Sequence, residues 1–358
     1  MAHKPVIVVN GRFLAQRFSG AQMYAYHLLD NARRLPLWKE LYWILAVPEQ
    51  AKIPQQWHFA FDEIRMKGSM SRNPWDHLIL PSLVPQNALL VNLSSMPSLR
   101  VENQLFCLHD VLPFIMPDAF NPLSRPWYRW LYKRSVKKFP FIVVSDYLKR
   151  MAMHLLGKNP INVIYPAGEH IEQVDETPIY NPLPDKYVLV IGGNVAYRPI
   201  QPVIDALKIL RNIGIDIHLV YSQSSNKLLF SIQRNHEDYP WIHRIDLPSS
   251  GSVKFVMKRS IAVVVPSIDE AFGIPVLEAS LSGVPVIVSQ APGLSESGTP
   301  CLRFPVDNPE ILAQHILTLM KDKHFRHAYV NKCKQHAKQF SWKASAQKLL
   351  ETISLTIK

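Results

Sequence analysis

The chain has 358 residues, too many for one ordinary hydrophobic core, so two domains are expected. At 47% hydrophobic and 19% charged it reads as folded and globular, and no apolar stretch approaches the roughly 18 residues of a membrane span. Lys and Arg number 40 against 28 Asp and Glu, a net charge of +12, which points to an anionic partner: nucleic acid, an anionic membrane or a phosphorylated small molecule.

The chain opens MAHKPVIVVN, whose apolar run is too brief for a signal-peptide core and fits a first strand at 6–10. Val- and Ile-rich runs at 88–92, 104–109, 141–145 and 161–165 complete a first set, and 187–193, 216–222, 261–267 and 284–289 form a second. None alternates in polarity, as expected of strands buried on both faces of a parallel sheet, and helical patterns lie between them. The prediction is a doubly wound α/β protein. The segment HIEQVDETPIYNPLPD (170–185), rich in Pro and acids and without either period, marks the boundary. The expected domains are 1–170 and 171–340, with a C-terminal helix at 341–358 that packs back towards the first. Another helix is expected at 308–322, with Asn308 as its cap and Pro309 in the first turn. Three cysteines, widely spaced and odd in number, fit a reducing, cytoplasmic compartment.

Residues 266–289 read PSIDEAFGIPVLEASLSGVPVIVS. Pro275 suits a first helical position and Gly283 the residue past the helix end, which predicts a helix of about two turns. The loop 269–274 then sits at the C-terminal edge of a parallel strand, where open α/β sheets bind ligands and a helix N-terminus favours an anion. Gly273 lets backbone approach the ligand. Glu270 lies beside that anion site and Glu278 one turn into the helix, so one carboxylate can accept from sugar hydroxyls and the other from a ribose diol. An anion pocket flanked by two hydroxyl acceptors describes a nucleotide-sugar.

The pattern Glu270-AFGIPVL-Glu278 resembles the retaining glycosyltransferases of family 4, whose signature is two glutamates separated by seven residues in a GT-B fold. IGGNVAYRPIQPVIDAL (191–207) is similar to the family's phosphate-clamping loop and helix, and NGRFLAQRFSGAQMYAYHLL (10–29) to its first strand, loop and helix. LHDVLP (108–113), VVSDYLKR (143–150) and FSWKASAQKLL (340–350) also match, so the resemblance covers most of the chain. It implies two Rossmann-like domains facing a cleft, with acceptor binding in the first and donor binding in the second. Glu270 would hold donor-sugar hydroxyls, Glu278 the ribose, and the amides of Phe272, Gly273 and Ile274 the phosphate and sugar. Arg198, with Tyr197 beside it, would neutralise the leaving diphosphate. His109 would face the donor sugar, and Gly20, beside Ser19 and Gln22 in a capping-box spacing, would bring a helix N-terminus towards phosphate or acceptor. Many relatives place Arg then Lys where this chain has Arg198 and Pro199, EAFG replaces EGFG, and VYSQSS (220–225) lacks the glycine usual after that strand.

WYRWLYKRSVKKF (127–139) combines aromatic residues and cations. It fits either a helix face with snorkelling side chains or a foot on an anionic bilayer formed by Trp127, Trp130, Arg134, Lys137 and Lys138. Six of the eight tryptophans (38, 43, 57, 75, 127 and 130) precede residue 150 and fit either sugar or lipid platforms or ordinary core. His324, His327, Cys333 and His336 spread around a helix axis rather than along one face, and no Asp-x-Asp occurs, so no metal or other cofactor is expected.

The expected activity is transfer of a hexose, mannose among the candidates, from a nucleotide diphosphate sugar to a lipid-linked or surface-polysaccharide acceptor, on the inner face of the plasma membrane. The alternatives are a nucleotide-sugar epimerase of similar fold, a catalytically impaired sugar-binding relative and a nucleic-acid-binding protein; no recognition motif supports the last.

Overall fold

The computed structural model describes residues 4–69, 73–119, 122–223 and 239–357. The chain divides into two compact units, the first comprising Met1–Ile115, Leu123–Pro166 and Trp342–Lys358, the second Met116–Pro122 and Ala167–Ser341.

Among the described residues the first unit carries seven strands, β1 (Val6–Asn10), β2 (Tyr42–Val47), β3 (Glu63–Met66), β4 (Leu89–Asn92), β5 (Gln104–Leu108), β6 (Phe141–Val143) and β7 (Asn162–Val163). They lie in the order β3-β2-β1-β4-β5-β6-β7, every pairing parallel. Its helices are α1 (Gly20–Ala32), α2 (Asn73–Leu78), α3 (Leu112–Ile115), α4 (Arg125–Lys138) and α5 (Asp146–Leu156). The second unit has β8 (Tyr187–Gly193), β9 (His218–Gln223), β10 (Ile242–Ile245), β11 (Ala262–Val265), β12 (Val286–Ser289) and β13 (Leu302–Phe304), again all parallel, in the order β10-β9-β8-β11-β12-β13. Around them run α6 (Gln201–Asn212), α7 (Ser250–Arg259), α8 (Ile274–Leu281), α9 (Leu294–Ser297), α10 (Pro309–Lys321) and α11 (Lys323–Ala337). Two doubly wound Rossmann-like units are therefore present.

The last helix, α12 (Trp342–Ile357), belongs to the first unit. Trp342 stacks on His27 of α1 at 5.4 Å, and Ser345 Oγ donates to the Tyr165 carbonyl at 2.6 Å. α10 begins where its cap signal places it, with the Asn308 side chain accepting from Ile311 N–H at 3.2 Å.

Sequence pattern identified β1, β4 to β9, β11 and β12 and missed β2, β3, β10 and β13. Three of those are sheet edges: EIRM, IHRI and LRF carry charges because one flank meets water, and they lose the apolar run that betrays a central strand. β2 lies in the aromatic segment. Trp38 and Trp43 stack at 3.7 Å, and Trp43, Trp57 and Trp75 are fully buried, so these four tryptophans are core rather than ligand platforms. Their indole N–H groups are bonded internally, Trp57 to Asp30 at 3.1 Å and Trp75 to the Lys67 carbonyl at 2.9 Å.

Candidate active site

In the second unit the strand order reverses between β8 and β11, and ligands of open α/β sheets bind at such a switch point, outside the carboxyl ends of the strands. The loops after those two strands supply the site. The loop after β8 turns through Asn194, which holds a left-handed φ of 59° that Asn tolerates better than most residues. Its Tyr197 carbonyl accepts from Ile268 N–H of the other loop at 2.8 Å.

Arg198 locks the two loops together. Its Nε donates to Ser267 Oγ at 3.1 Å, one Nη to the Ile191 carbonyl at 2.7 Å, and the other pairs with Glu270 Oε2, which also accepts from Ser267 Oγ at 3.0 Å. Ser267 is itself held through its carbonyl by Ser289 Oγ at 2.5 Å. Burial opposes the charge on Arg198, and the Glu270 carboxylate beside it outweighs that penalty, leaving the guanidinium pKa above its ordinary value. The resemblance gave Arg198 and Glu270 separate ligand contacts, whereas the structure pairs them. Both leave neighbouring strands at the same edge, and a guanidinium only 7% exposed needs a counter-charge.

α8 starts directly after Gly273, whose φ of 95° suits glycine alone; a Cβ there would meet Leu294 Cδ2 at 2.6 Å. No side chain caps α8; Pro275 has no N–H and the Val276 N–H donates to the Gly273 carbonyl at 3.0 Å, so of its first three residues Ile274 alone has an N–H to offer. The Phe272 ring is buried against Phe340 and its carbonyl accepts from Ser297 Oγ. Ile274 opens the helix, and Glu278, one turn in, is 8% exposed with Oε1 2.9 Å from His170 Nε2. The second unit thus brings together Tyr197, Arg198, Glu270, Phe272, Gly273, Ile274 and Glu278. It adds Ser267 and His170, which sequence reasoning passed over: Ser267 ends an apolar run, and His170 lies in the segment read as linker. Ser224 and Ser225 of the run after β9 lie outside the described residues.

His109 and Gly20 lie in the first unit. His109 follows β5 with Nε2 2.6 Å from the Leu93 carbonyl, which requires the proton on Nε2 and leaves Nδ1 as an acceptor. Burial pushes its pKa down to about 4, so the imidazole is neutral at physiological pH. Gly20 opens α1, and Ser19 there bonds the Gln22 side chain instead of a backbone N–H, so the expected capping box does not form. The first unit has its own polar cluster at the corresponding switch point, which the sequence analysis did not single out. Arg12 pairs with Asp76 at 3.0 Å and donates to Ser95 at 2.9 Å, while Asn10 bridges Asp76 and Asn92. Burial lifts the Asp76 pKa to about 6 despite Arg12 and Asn10.

α4 buries Leu131, Tyr132, Ser135 and Val136 and exposes Trp127 and Trp130, 43% and 45% accessible and stacked at 5.0 Å. The Arg134 guanidinium lies 5.5 Å from the Trp130 ring, with Lys137 and Lys138 exposed further on. Among the described residues, no helix is long and apolar enough to cross a membrane. On α11, Cys333 meets Cys301 at 3.9 Å between sulfurs and His336 bonds the Glu296 carbonyl at 2.6 Å, so neither shares a site with the other.

Residues 176–339, nearly the whole second unit, match the family described as Glycosyl transferases group 1. The O-antigen chain mannosyltransferase RfbU of Salmonella typhimurium is 27% identical over 210 residues, 56% of this chain and 56% of that protein, so the match spans about half the length of that relative. A sucrose-phosphate synthase from Thermosynechococcus elongatus superposes with a TM-score of 0.74 at 15% identity, covering 99% of each chain. HepE of Anabaena, solved in complex with UDP and glucose, superposes at 0.65 and 16% identity over 98% of this chain and 100% of that one. Residues 176–339 are thus similar to the glycosyltransferases of group 1, and the fold is that of GT-B enzymes.

Proposed function

We propose that this chain is a retaining glycosyltransferase that moves a hexose, mannose first among the candidates, from a nucleoside diphosphate sugar to a lipid-linked or surface-polysaccharide acceptor. The observation that carries this reading is the switch point of the second unit, where a permanent cation, two carboxylates and an uncapped helix N-terminus converge. A nucleoside diphosphate sugar presents three features to such a place. Its diphosphate suits Arg198 and the Ile274 amide at the start of α8, with the helix dipole behind it, which would stabilise charge growing on the leaving group. Its ribose diol suits the Glu278 carboxylate. Its sugar hydroxyls suit Glu270, which two donors already orient, and contact there would matter most as the anomeric carbon flattens. With the diphosphate neutralised by protein groups, it can take the acceptor proton on the face it leaves, which retains configuration without a metal. The mannosyl and glycan parts of the proposal draw on the O-antigen relative. The exposed Trp and cation face of α4 supports docking on an anionic membrane, on its cytoplasmic side, where lipid-linked acceptors would be met.

The test begins with thermal shifts for UDP, GDP and their hexose conjugates, since a ligand at 100 times its Kd adds about 2.7 kcal/mol. The nucleotide that stabilises the wild type should bind Glu278→Ala roughly ten- to a hundredfold more weakly, the loss of a charged hydrogen bond worth about 1.5 to 3 kcal/mol. With an α-linked donor, NMR should show an α-linked product, formed equally in excess EDTA. No stabilising nucleotide, unchanged affinity in Glu278→Ala, a β-linked product, or activity lost to EDTA and restored by magnesium would each overturn the reading.

A further inference from the structure

We propose that His170 is a positioning residue for Glu278, holding that carboxylate ready for the ribose of the donor; the proposal rests on the ribose assignment made above. His170 sits in the short 3-10 turn Glu169–Glu172 at the start of the second unit, 108 residues from Glu278 in sequence. In space its Nε2 lies 2.9 Å from Glu278 Oε1, with the two residues only 5% and 8% exposed. A carboxylate has no proton to give, so the ring supplies it from Nε2, and one carboxylate oxygen is committed to the imidazole while the other is left for a hydroxyl. A glutamate has three rotatable bonds, and a single bond from a rigid, buried ring removes most of that freedom before any ligand arrives.

The turn is fixed from two directions, by α8 on one side and by α7 and α11 on the other. Gly168 lets it approach: a Cβ there would stand 2.7 Å from Leu277 Cβ, 2.9 Å from the Leu277 carbonyl carbon and 3.0 Å from Glu278 N. At the other end Lys254 of α7 donates to the Glu172 and Val174 carbonyls at 3.3 and 2.8 Å, and Lys334 of α11 pairs with Glu172 at 3.5 Å. Neither contact touches the site, so the turn behaves as a bracket that delivers one imidazole. Because the work done is orientation of a ground-state contact, the effect belongs in donor affinity and KM rather than in kcat.

The experiment compares His170→Gln, whose amide reaches where Nε2 stands, with His170→Asn, equally polar but too short to reach Glu278. The probe is whichever of UDP and GDP stabilises the wild type, titrated calorimetrically, with KM and kcat measured for the matching sugar conjugate. The expected result is about tenfold weaker binding and a similar rise in KM for Asn, binding within about threefold of wild type for Gln, and kcat within about threefold for both. The double variant His170→Asn/Glu278→Ala should bind as Glu278→Ala alone. Equal binding by Asn and wild type, equal losses in Asn and Gln, or losses that add in the double variant would overturn the proposal while leaving the Glu278 assignment standing. A wild-type chain that binds neither nucleotide would overturn the assignment and the proposal with it. Should His170→Asn not fold, Gly168→Ala, which lifts the turn from α8 with the imidazole intact, should show the same loss of affinity, and wild-type affinity there would overturn the proposal.

Discussion

Replacing Arg198 by Met keeps the apolar stem and removes the charge that joins the loops after β8 and β11. Three donated hydrogen bonds disappear, those to Ser267, Ile191 and Glu270. Breaking one side of a fully buried ion pair costs about 3 to 5 kcal/mol because the remaining charge is left without compensation. Here the Glu270 side chain is 15% exposed and keeps the Ser267 hydroxyl at 3.0 Å, so part of its solvation survives and about 2 to 3 kcal/mol is expected. For a unit of this size that corresponds to a fall in Tm of roughly 4 to 12 °C. Arg198→Met/Glu270→Gln removes both charges and should lose only about 1 kcal/mol; with Glu270→Gln alone also losing at least about 1 kcal/mol, the pair should couple by about 2 kcal/mol or more in a double-mutant cycle. Urea unfolding of the four proteins at pH 7 measures this. A single variant that loses less than about 1 kcal/mol, or a double variant whose loss equals the sum of the singles, would refute the claim that the pair ties the loops.

Two further outcomes test the first unit. Asp76, whose pKa is raised to about 6, binds its proton more tightly folded than unfolded, so its contribution grows as pH falls through 6 and is absent at pH 7.5. Relative to Asp76→Asn, the wild type should therefore gain about 1.4 kcal/mol between pH 7.5 and pH 5, measured by urea unfolding at each pH, and parallel curves would contradict the assignment. The 358-residue chain should sediment with vesicles containing phosphatidylserine but not with phosphatidylcholine vesicles, each cation near the surface contributing about 1 kcal/mol. Changing Arg134, Lys137 and Lys138 to Gln should halve that sedimentation or more, and indifference to salt and to these changes would remove α4 as the docking face.

Local chemistry made much of this protein legible in one dimension. Unbroken Val and Ile runs mark strands that both faces bury, so β1, β4, β8 and β11 and the two-unit parallel plan follow from residue order alone. The Gly273, Pro275 and Gly283 punctuation marks α8, and with it the loop that carries Glu270 and the helix that carries Glu278, because backbone conformation at those residues depends on nothing distant. Tertiary structure decided everything that depends on which strands become neighbours. The same tryptophan-rich stretch could have been platform or core, and only the pairing of β2 with β1 and β3 buries Trp43 while α4 leaves Trp127 and Trp130 outside. Cys301 and Cys333 look unrelated along the chain, yet their sulfurs are 3.9 Å apart. Arg198 finds Glu270 across 72 residues, since a parallel sheet gathers the ends of separated strands on one edge, and His170 finds Glu278 across 108, since the turn that carries it packs directly on α8; a buried charge takes its partner from whatever the fold brings there.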